Sequence, residues 1–283
     1  MKEFLAQWMP VDASEHGPQL DSINAIVHWL MLLLFIGWGL YYVYVLYRFN
    51  AKRHPRANYT GVRTHVSSWI EGGVAVIELV LLLGFSIPLW YRWASPPPRS
   101  ANPLEIRVVG EQFAWNFHYP GSDGIFGRSE VKLVTSTNPL GLDPDDPKGK
   151  DDIATVGQLH LEVNRPVIAR ITSKDVIHSF KIPVMRVTQD AIPGMETPIH
   201  FKPVKTNDGE KWEVACAQLC GLGHYRMKSE MHVHSKEDFQ KWMRQNTPEN
   251  PNTAAPNPVP SATPADPVPV TQDATHTSDP NAH

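Results

Sequence analysis

Two long apolar runs, followed by many short alternating ones, divide this chain. Residues 24–47, Asn24 through Tyr47, carry no formal charge and are rich in Leu, Trp, Tyr and Val. As a helix, a run of that length crosses a bilayer's hydrocarbon core of about 30 Å. Residues 72–91 form a second run, broken by Glu78, with Pro88 in its last turn where a kink is expected. Trp69, Trp90, Tyr91 and Trp93 fall near its ends, where amphipathic rings favour the membrane interface. A soluble helical hairpin is the competing reading, and the length and apolar character of both runs weigh against it.

From about residue 103 to 245 the period shortens. Leu104–Val109 and Leu159–Val163 alternate apolar with polar residues, as half-buried strands do. Val167–Ile171 and Lys211–Ala215 read as further strands. Short strands punctuated by Pro and Gly fit one all-β sandwich or Greek-key barrel. Residues 121–156, with the acidic run Asp143–Asp152, read as an exposed insertion. Ser235–Trp242 fits a capped closing helix, Ser at its start and acids in the first turn. Residues 247–283 are dominated by Pro, Thr, Ala, Asn and Asp, and are expected to be a disordered tail because they cannot bury enough surface to order themselves.

Charge orients this plan. The connection 48–70 holds Arg48, Lys52, Arg53, Arg56 and Arg63 and no acid, whereas residues 1–23 set Lys2 against Glu3, Asp12, Glu15 and Asp21. The basic loop is expected in the cytoplasm, which puts both termini and residues 103–245 on the outer side. No basic n-region with a cleavage site precedes the first apolar run and no Cys lies near the start, so neither a removed signal peptide nor an N-terminal lipid anchor is expected. The net charge of −3 averages a basic inner loop with an acidic outer portion and decides little. Acids within 104–247 fit steering of a basic partner protein, and no nucleic-acid partner is expected.

The chemistry concentrates in Cys216-Ala217-Gln218-Leu219-Cys220-Gly221-Leu222-Gly223-His224-Tyr225-Arg226-Met227, which contains the chain's two cysteines. Thiolate, imidazole and thioether are ligands that copper prefers, and His178 supplies one more imidazole upstream. A mononuclear blue-copper ion uses two His, one Cys and a weak axial ligand, so the second Cys is surplus. Two thiolates on one tight loop can bridge two copper ions. Two cysteines in an exported domain also fit a disulfide, and Cys, Cys, His and His fit zinc, although zinc leaves Met227 without a role. Copper accounts for the whole set.

That loop resembles the Cys-x-Glu-x-Cys-Gly-x-x-His-x-x-Met signature of subunit II of cytochrome c oxidases. Asp175-Val176-Ile177-His178-Ser179-Phe180, with Gln189–Gly194 after it, is similar to the family's first-histidine strand. Gly110–Pro120 is similar to its aromatic segment, and with the two membrane segments the likeness covers residues 20 to 245. The resemblance implies a two-helix transmembrane hairpin followed by a cupredoxin-like domain carrying a dinuclear copper centre, CuA. Carried over by position, the ligands are the side chains of His178, Cys216, Cys220, His224 and Met227 and the backbone carbonyl of Gln218. It further implies a place in a bacterial inner membrane beside subunit I, which holds the haems, reduces oxygen and pumps protons. The donor is then a cytochrome c. No Cys-x-x-Cys-His haem motif occurs, so that donor is a separate protein.

Two departures stand out. The family usually has Glu where Gln218 stands, and its carboxylate helps to hold a Mg ion against subunit I; Gln218 keeps the carbonyl and loses the charge, which puts Mg in question. Phe113 stands where the family commonly places the Trp of electron entry, and Trp115 follows two positions on, so both are candidates for that role. Glu71, at the mouth of the second membrane run, resembles the family's Glu at the entrance of a proton pathway; an interfacial acid is the competing reading. Glu78 lies seven residues deeper on the same helical face, where an acid must meet protein or water. His160, His200, His232 and His234 read as surface or strand histidines. A copper-free quinol oxidase subunit, a membrane-anchored copper carrier and a nitric-oxide reductase subunit are the rival functions.

Overall fold

The computed structural model describes residues 7–56, 59 and 64–248. The expected tail beyond 248 and Arg63 in the basic loop lie outside the described residues. The first apolar run lies within helix α1 (Gly17–Arg48), which begins earlier because Pro18 suits a first helical turn, and which ends on Arg48, favourable at the negative end of the helix dipole. The second becomes α2 (Val66–Leu81), a π-helical turn over Leu82–Ser86, and α3 (Ile87–Ala94). Pro88 explains the break. It has no N–H to donate and its ring crowds the carbonyl four residues back, so the preceding turn widens to the i→i+5 pattern. Both helical spans are long and apolar enough to cross a membrane, and Leu33, Phe35, Leu40, Val76 and Leu83 stand exposed on the isolated chain.

Ten strands follow among the described residues: β1 (Leu104–Glu111), β2 (Ala114–Tyr119), β3 (Ile153–Val156), β4 (Gln158–Glu162), β5 (Val167–Ser173), β6 (His178–Ile182), β7 (Val187–Ala191), β8 (Thr197–Phe201), β9 (Trp212–Cys216) and β10 (Lys228–His234). They form two five-stranded sheets, β3-β2-β1-β5-β8 and β4-β10-β9-β6-β7. Strict alternation aims Leu104, Ile106 and Val108 of β1 and Val167, Ala169 and Ile171 of β5 inward. They belong to one buried core with Leu159, Leu161, Phe180, Ile182 and Val214 of the other sheet. Helix α4 (Lys236–Asn246) closes the domain; the Ser235 hydroxyl accepts the Asp238 N–H at 3.1 Å, and Phe239 is buried.

Two segments are better anchored than their composition implies. The insertion expected to be exposed over 121–156 ends in β3, whose Ile153 is buried opposite Tyr119. Just before it, Asp152 is buried and accepts hydrogen bonds from His118 Nε2 at 2.6 Å, Gly127 N at 2.7 Å and Gly121 N at 3.2 Å. An acid in that run reads as solvated, yet this carboxylate is matched by three donors, which is what makes its burial tolerable. Ahead of α1, the buried Ala13 donates its N–H to the Val184 carbonyl and accepts from Val204, each at 2.8 Å. Arg186 Nε binds Asp21 at 2.9 Å and its Nη2 binds the Pro10 carbonyl at 2.8 Å. The N-terminal end of α1 is thereby tied to the β domain.

All four histidines read as surface or strand residues lie on strands, and His160 is the buried one, 7% exposed. The parallel pairing of β4 with β10 sets His232 opposite His160, and the His160 ring stacks on Trp242 at 4.2 Å and on His232 at 4.7 Å. Burial, aided by the His232 and His234 imidazoles, pushes His160 down to about 2. The unfolded chain takes up that proton near pH 6.5 and the folded chain does not, so the contribution of His160 to stability is full above that pH and shrinks as pH falls below it. Acidification from pH 7 to 5 is expected to lower the unfolding free energy by up to about 1.4 kcal/mol per pH unit once below that value. Urea unfolding of the full chain in detergent should show this slope flattening in His160→Gln. An unchanged slope in the variant would refute the assignment.

Candidate metal centre

The ligand-type residues come from two places that β pairing brings together. His178 opens β6, and Cys216 closes the neighbouring β9, with Phe180 registered opposite Cys216. The loop from Ala217 to Gly223 then turns through a 3₁₀ segment, His224–Arg226, into β10. It is closed by Cys216 N to the Met227 carbonyl at 3.1 Å, Ala217 N to the Ser179 carbonyl at 2.9 Å and Met227 N to the His224 carbonyl at 3.1 Å. Gly221 has φ of +132°, which side chains disfavour, and a Cβ at Gly223 would lie 2.3 Å from the Phe113 ring. Glycine is required for the loop to pass this close under Phe113.

The result is a compact donor cluster. Cys216 Sγ lies 3.9 Å from Cys220 Sγ, 3.8 Å from His178 Nδ1 and 3.1 Å from the Gln218 carbonyl oxygen. Cys220 Sγ lies 3.6 Å from His224 Nδ1 and 3.8 Å from Met227 Sδ. The ligand atoms of His178, Cys216 and Cys220 could hold a metal ion, all lying within 4.8 Å of one another. Each thiol therefore has its own imidazole and its own weak donor, carbonyl for Cys216 and thioether for Cys220. That symmetry suits two soft ions sharing two thiolates. A single zinc would leave part of the set unused.

Residues outside that set fix it. Asp175, three residues before His178, accepts from His178 Nε2 at 2.9 Å and from the Gln112 N–H at 2.7 Å. With Nε2 carrying the proton, the Nδ1 lone pair faces Cys216. Burial would raise the Asp175 carboxyl, but the Gln112 N–H and the His178 imidazole outweigh it and hold the group below the usual carboxylate range. The Gln112 side-chain amide also donates to the Cys220 carbonyl. Neither role follows from composition: both residues lie within the family-like segments, and Asp175 has in addition its i,i+3 spacing to His178. Burial and the neighbouring Cys216 thiol push the Cys220 thiol up to about 11, so a bound cation has to displace its proton.

The two electron-entry candidates separate here. Trp115 is 0% exposed, its ring 5.9 Å from that of His178 and 5.3 Å from that of Phe180, so it packs the site from within and meets no outside partner. Phe113 is 38% exposed and lies over the loop glycines. Around it the loop shows Leu219, Leu222 and Tyr225 to solvent, while the nearby acids Glu111 and Glu213 are paired with Lys174 and Lys228. Glu71 and Glu78 lie on α2, outside the donor cluster, and both are exposed on the isolated chain.

Asp175→Ala is expected to weaken copper binding by about 10–100-fold, the usual consequence of losing the group that orients a ligating imidazole, with Asp175→Asn falling between. Competition with a copper chelator on the full chain measures this, and unaltered affinity in Asp175→Ala would sink it. Copper uptake should also weaken as pH falls, because each thiol gives up a proton on binding. Gln218→Ala, which keeps the carbonyl, should leave copper content nearly intact.

Residues 104–233 match the family model described as cytochrome c oxidase subunit II, periplasmic domain. The alternative cytochrome c oxidase subunit 2 of Bradyrhizobium diazoefficiens is 33% identical over 239 residues, covering 84% of this chain and 83% of that protein. Cytochrome c oxidase subunit 2 of Cereibacter sphaeroides is 25% identical over 245 residues, covering 81% and 78%. Among solved structures, the periplasmic domain of subunit II of cytochrome oxidase from Bradyrhizobium japonicum is similar at a TM-score of 0.36 and 27% identity, over 50% of this chain and 92% of that one. With the apolar helices, the sandwich and the clustered thiols already in place, a relative matched along most of both chains settles the lineage: the chain belongs to the cytochrome c oxidase subunit II family.

Proposed function

We propose that this protein accepts single electrons from a separate cytochrome c-type donor and delivers them to haem in subunit I of a respiratory oxidase. The observation that carries the reading is the paired donor set, one imidazole and one weak donor beside each of two thiols 3.9 Å apart. A dinuclear copper centre held by His178, Cys216, Gln218, Cys220, His224 and Met227 supplies one-electron transfer with little reorganisation. The chain's own contribution is rigidity. Asp175 fixes His178, the loop hydrogen bonds fix the thiols, and Phe113 with Trp115 excludes water from two sides.

The exposed Leu219, Leu222 and Tyr225 beside Phe113 fit a partner that buries them on docking, which favours short-range apolar contact over steering by acids. Gln218 offers no carboxylate for a Mg ion. In the proposed topology both termini and the β domain face the periplasm, the basic loop faces the cytoplasm, and α2 lies against subunit I. Glu71 then stands at the inner side, placed to pass protons inward, with Glu78 deeper on the same helix. A quinol oxidase subunit would have no use for the intact donor set.

Electron paramagnetic resonance of the copper-loaded full chain tests the metal. Two copper ions per chain and a seven-line hyperfine pattern are expected, and Cys216→Ser or Cys220→Ser should abolish it. One copper with a four-line pattern would overturn the reading. In the assembled oxidase, Glu71→Gln should slow oxygen turnover severalfold while copper content and electron entry stay unchanged, since an amide keeps the shape but cannot relay protons. Unaltered turnover would reduce Glu71 to an interfacial acid.

A further inference from the structure

Where the two membrane helices meet the β domain, they leave a crevice that the electron-transfer role does not use. Leu20 and Ile23 of α1, Leu89 and Trp90 of α3, Val187 of β7 and Ile199 of β8 wall a cleft of about 340 Å³. Clefts of roughly 300–1,000 Å³ with mostly apolar walls and a few polar groups are the usual form of a small-molecule site. The helix break shapes one wall. A π-helical turn adds a residue to its turn and so resets which side chains the following helix presents. Ser86, the last residue of that turn, and Leu89 flank Pro88, and both line the cleft.

Depth decides what fills it. The charge-free run Asn24–Tyr47 begins one residue beyond Ile23, while Asp12, Glu15 and His16 precede the cleft in the polar strap. Trp90 and Tyr91 are both exposed, and amphipathic rings of this kind settle at the membrane interface. With the helices in a bilayer, the cleft stands at the boundary between headgroups and acyl chains, where lipid is the surrounding medium.

The guanidinium on the cleft wall is already matched. Arg186 binds Asp21 through Nε at 2.9 Å and Nη2 at 3.1 Å, and it donates to the carbonyls of Pro183 at 2.7 Å and Pro10 at 2.8 Å. Burial holds the His16 imidazole below the ordinary histidine range, so it is uncharged at neutral pH. Ser86 and Thr188, both exposed, add hydroxyls to the lining. An anionic headgroup finds little here to pair with. An acyl chain finds apolar walls, and its ester oxygens find neutral donors.

We propose that this crevice holds one acyl chain of a phospholipid from the leaflet nearest the β domain, selected by its tail and ester region and not by headgroup charge. The inference rests on the reading that both helical spans cross a membrane. The lipid packs the helix ends against β7, the second arm of the hairpin that begins with His178.

Native mass spectrometry tests this on the full chain, reconstituted in nanodiscs of phosphatidylcholine or of phosphatidylglycerol and then released into mild detergent. One phospholipid per chain is expected to stay bound from either lipid. Leu20→Trp/Ile23→Trp, which fills the crevice from α1 with apolar bulk, should lose it. A phosphatidylcholine carrying a photoactivatable diazirine on its acyl chain needs no variant: crosslinks should concentrate on the peptides that hold Leu20 and Ile23, Leu89 and Trp90, and Val187 and Ile199. Resistance to carbonate extraction reports membrane insertion separately, so a missing lipid in an inserted chain counts against the crevice and not against the helices. No retained lipid, retention of the anionic lipid alone, undiminished retention in the double variant, or crosslinks spread evenly along both helices would overturn the site.

Discussion

The antiparallel contact between β6 and β9 is the constraint on which the rest depends. His178 and Cys216 are separated by the whole β7–β8 excursion, and only the register Phe180 opposite Cys216 brings the imidazole within 3.8 Å of the thiol. A strand slip of one residue would turn Cys216 to the other face and separate the donors. The core enforces that register. Phe180 and Ile182 of β6 and Val214 of β9 are fully buried, so slipping would cost their burial as well. The hydrophobic pattern that stabilises the sandwich is therefore what assembles the donor cluster.

Rigidity at the site is obtained through backbone hydrogen bonding and close packing rather than through bulk. Gly110 faces His178 so closely that a Cβ would stand 2.9 Å from its ring, and Gly223 gives the same access to Phe113. Trp115 fills the space behind His178, against Phe180. Asp175 joins two segments, since its carboxylate takes both the Gln112 N–H and the imidazole. Donor side chains held this way have little room to shift, because each would have to move against a neighbour already in contact.

The parts legible in the sequence were those governed by local pattern. The apolar runs, the alternation of β1, β4, β5 and β9 and the Ser235 cap each declare themselves within a few residues. The donor residues were legible for another reason: five of the six fall in, or are backbone of, one short loop. What stayed hidden depends on long-range pairing. Asp152 reads as part of a solvated acidic run until His118, Gly121 and Gly127 converge on it. His160 reads as an ordinary strand histidine until β10 lies beside β4. Trp115 and Phe113 are two residues apart and look interchangeable, yet Trp115 lies within β2, which is buried from Trp115 to Tyr119, while Phe113 lies in the turn between β1 and β2 and remains partly exposed.

The N-terminal strap gives the donor cluster a fixed relation to the helix that precedes it. On a freely hinged domain the cluster would sample many distances to anything packed against that helix. Here Ala13 pairs on both sides, with Val184 and Val204, and Arg186 is held by Asp21 within α1 itself. Val184 and Arg186 lie in the turn between β6 and β7, so the same hairpin that begins with His178 also grips the N-terminal end of α1. That linkage fixes the donor cluster relative to the N-terminal end of α1 through one short, hydrogen-bonded element. The mechanical anchor and the first donor residue belong to a single hairpin, and displacement of one is carried directly to the other.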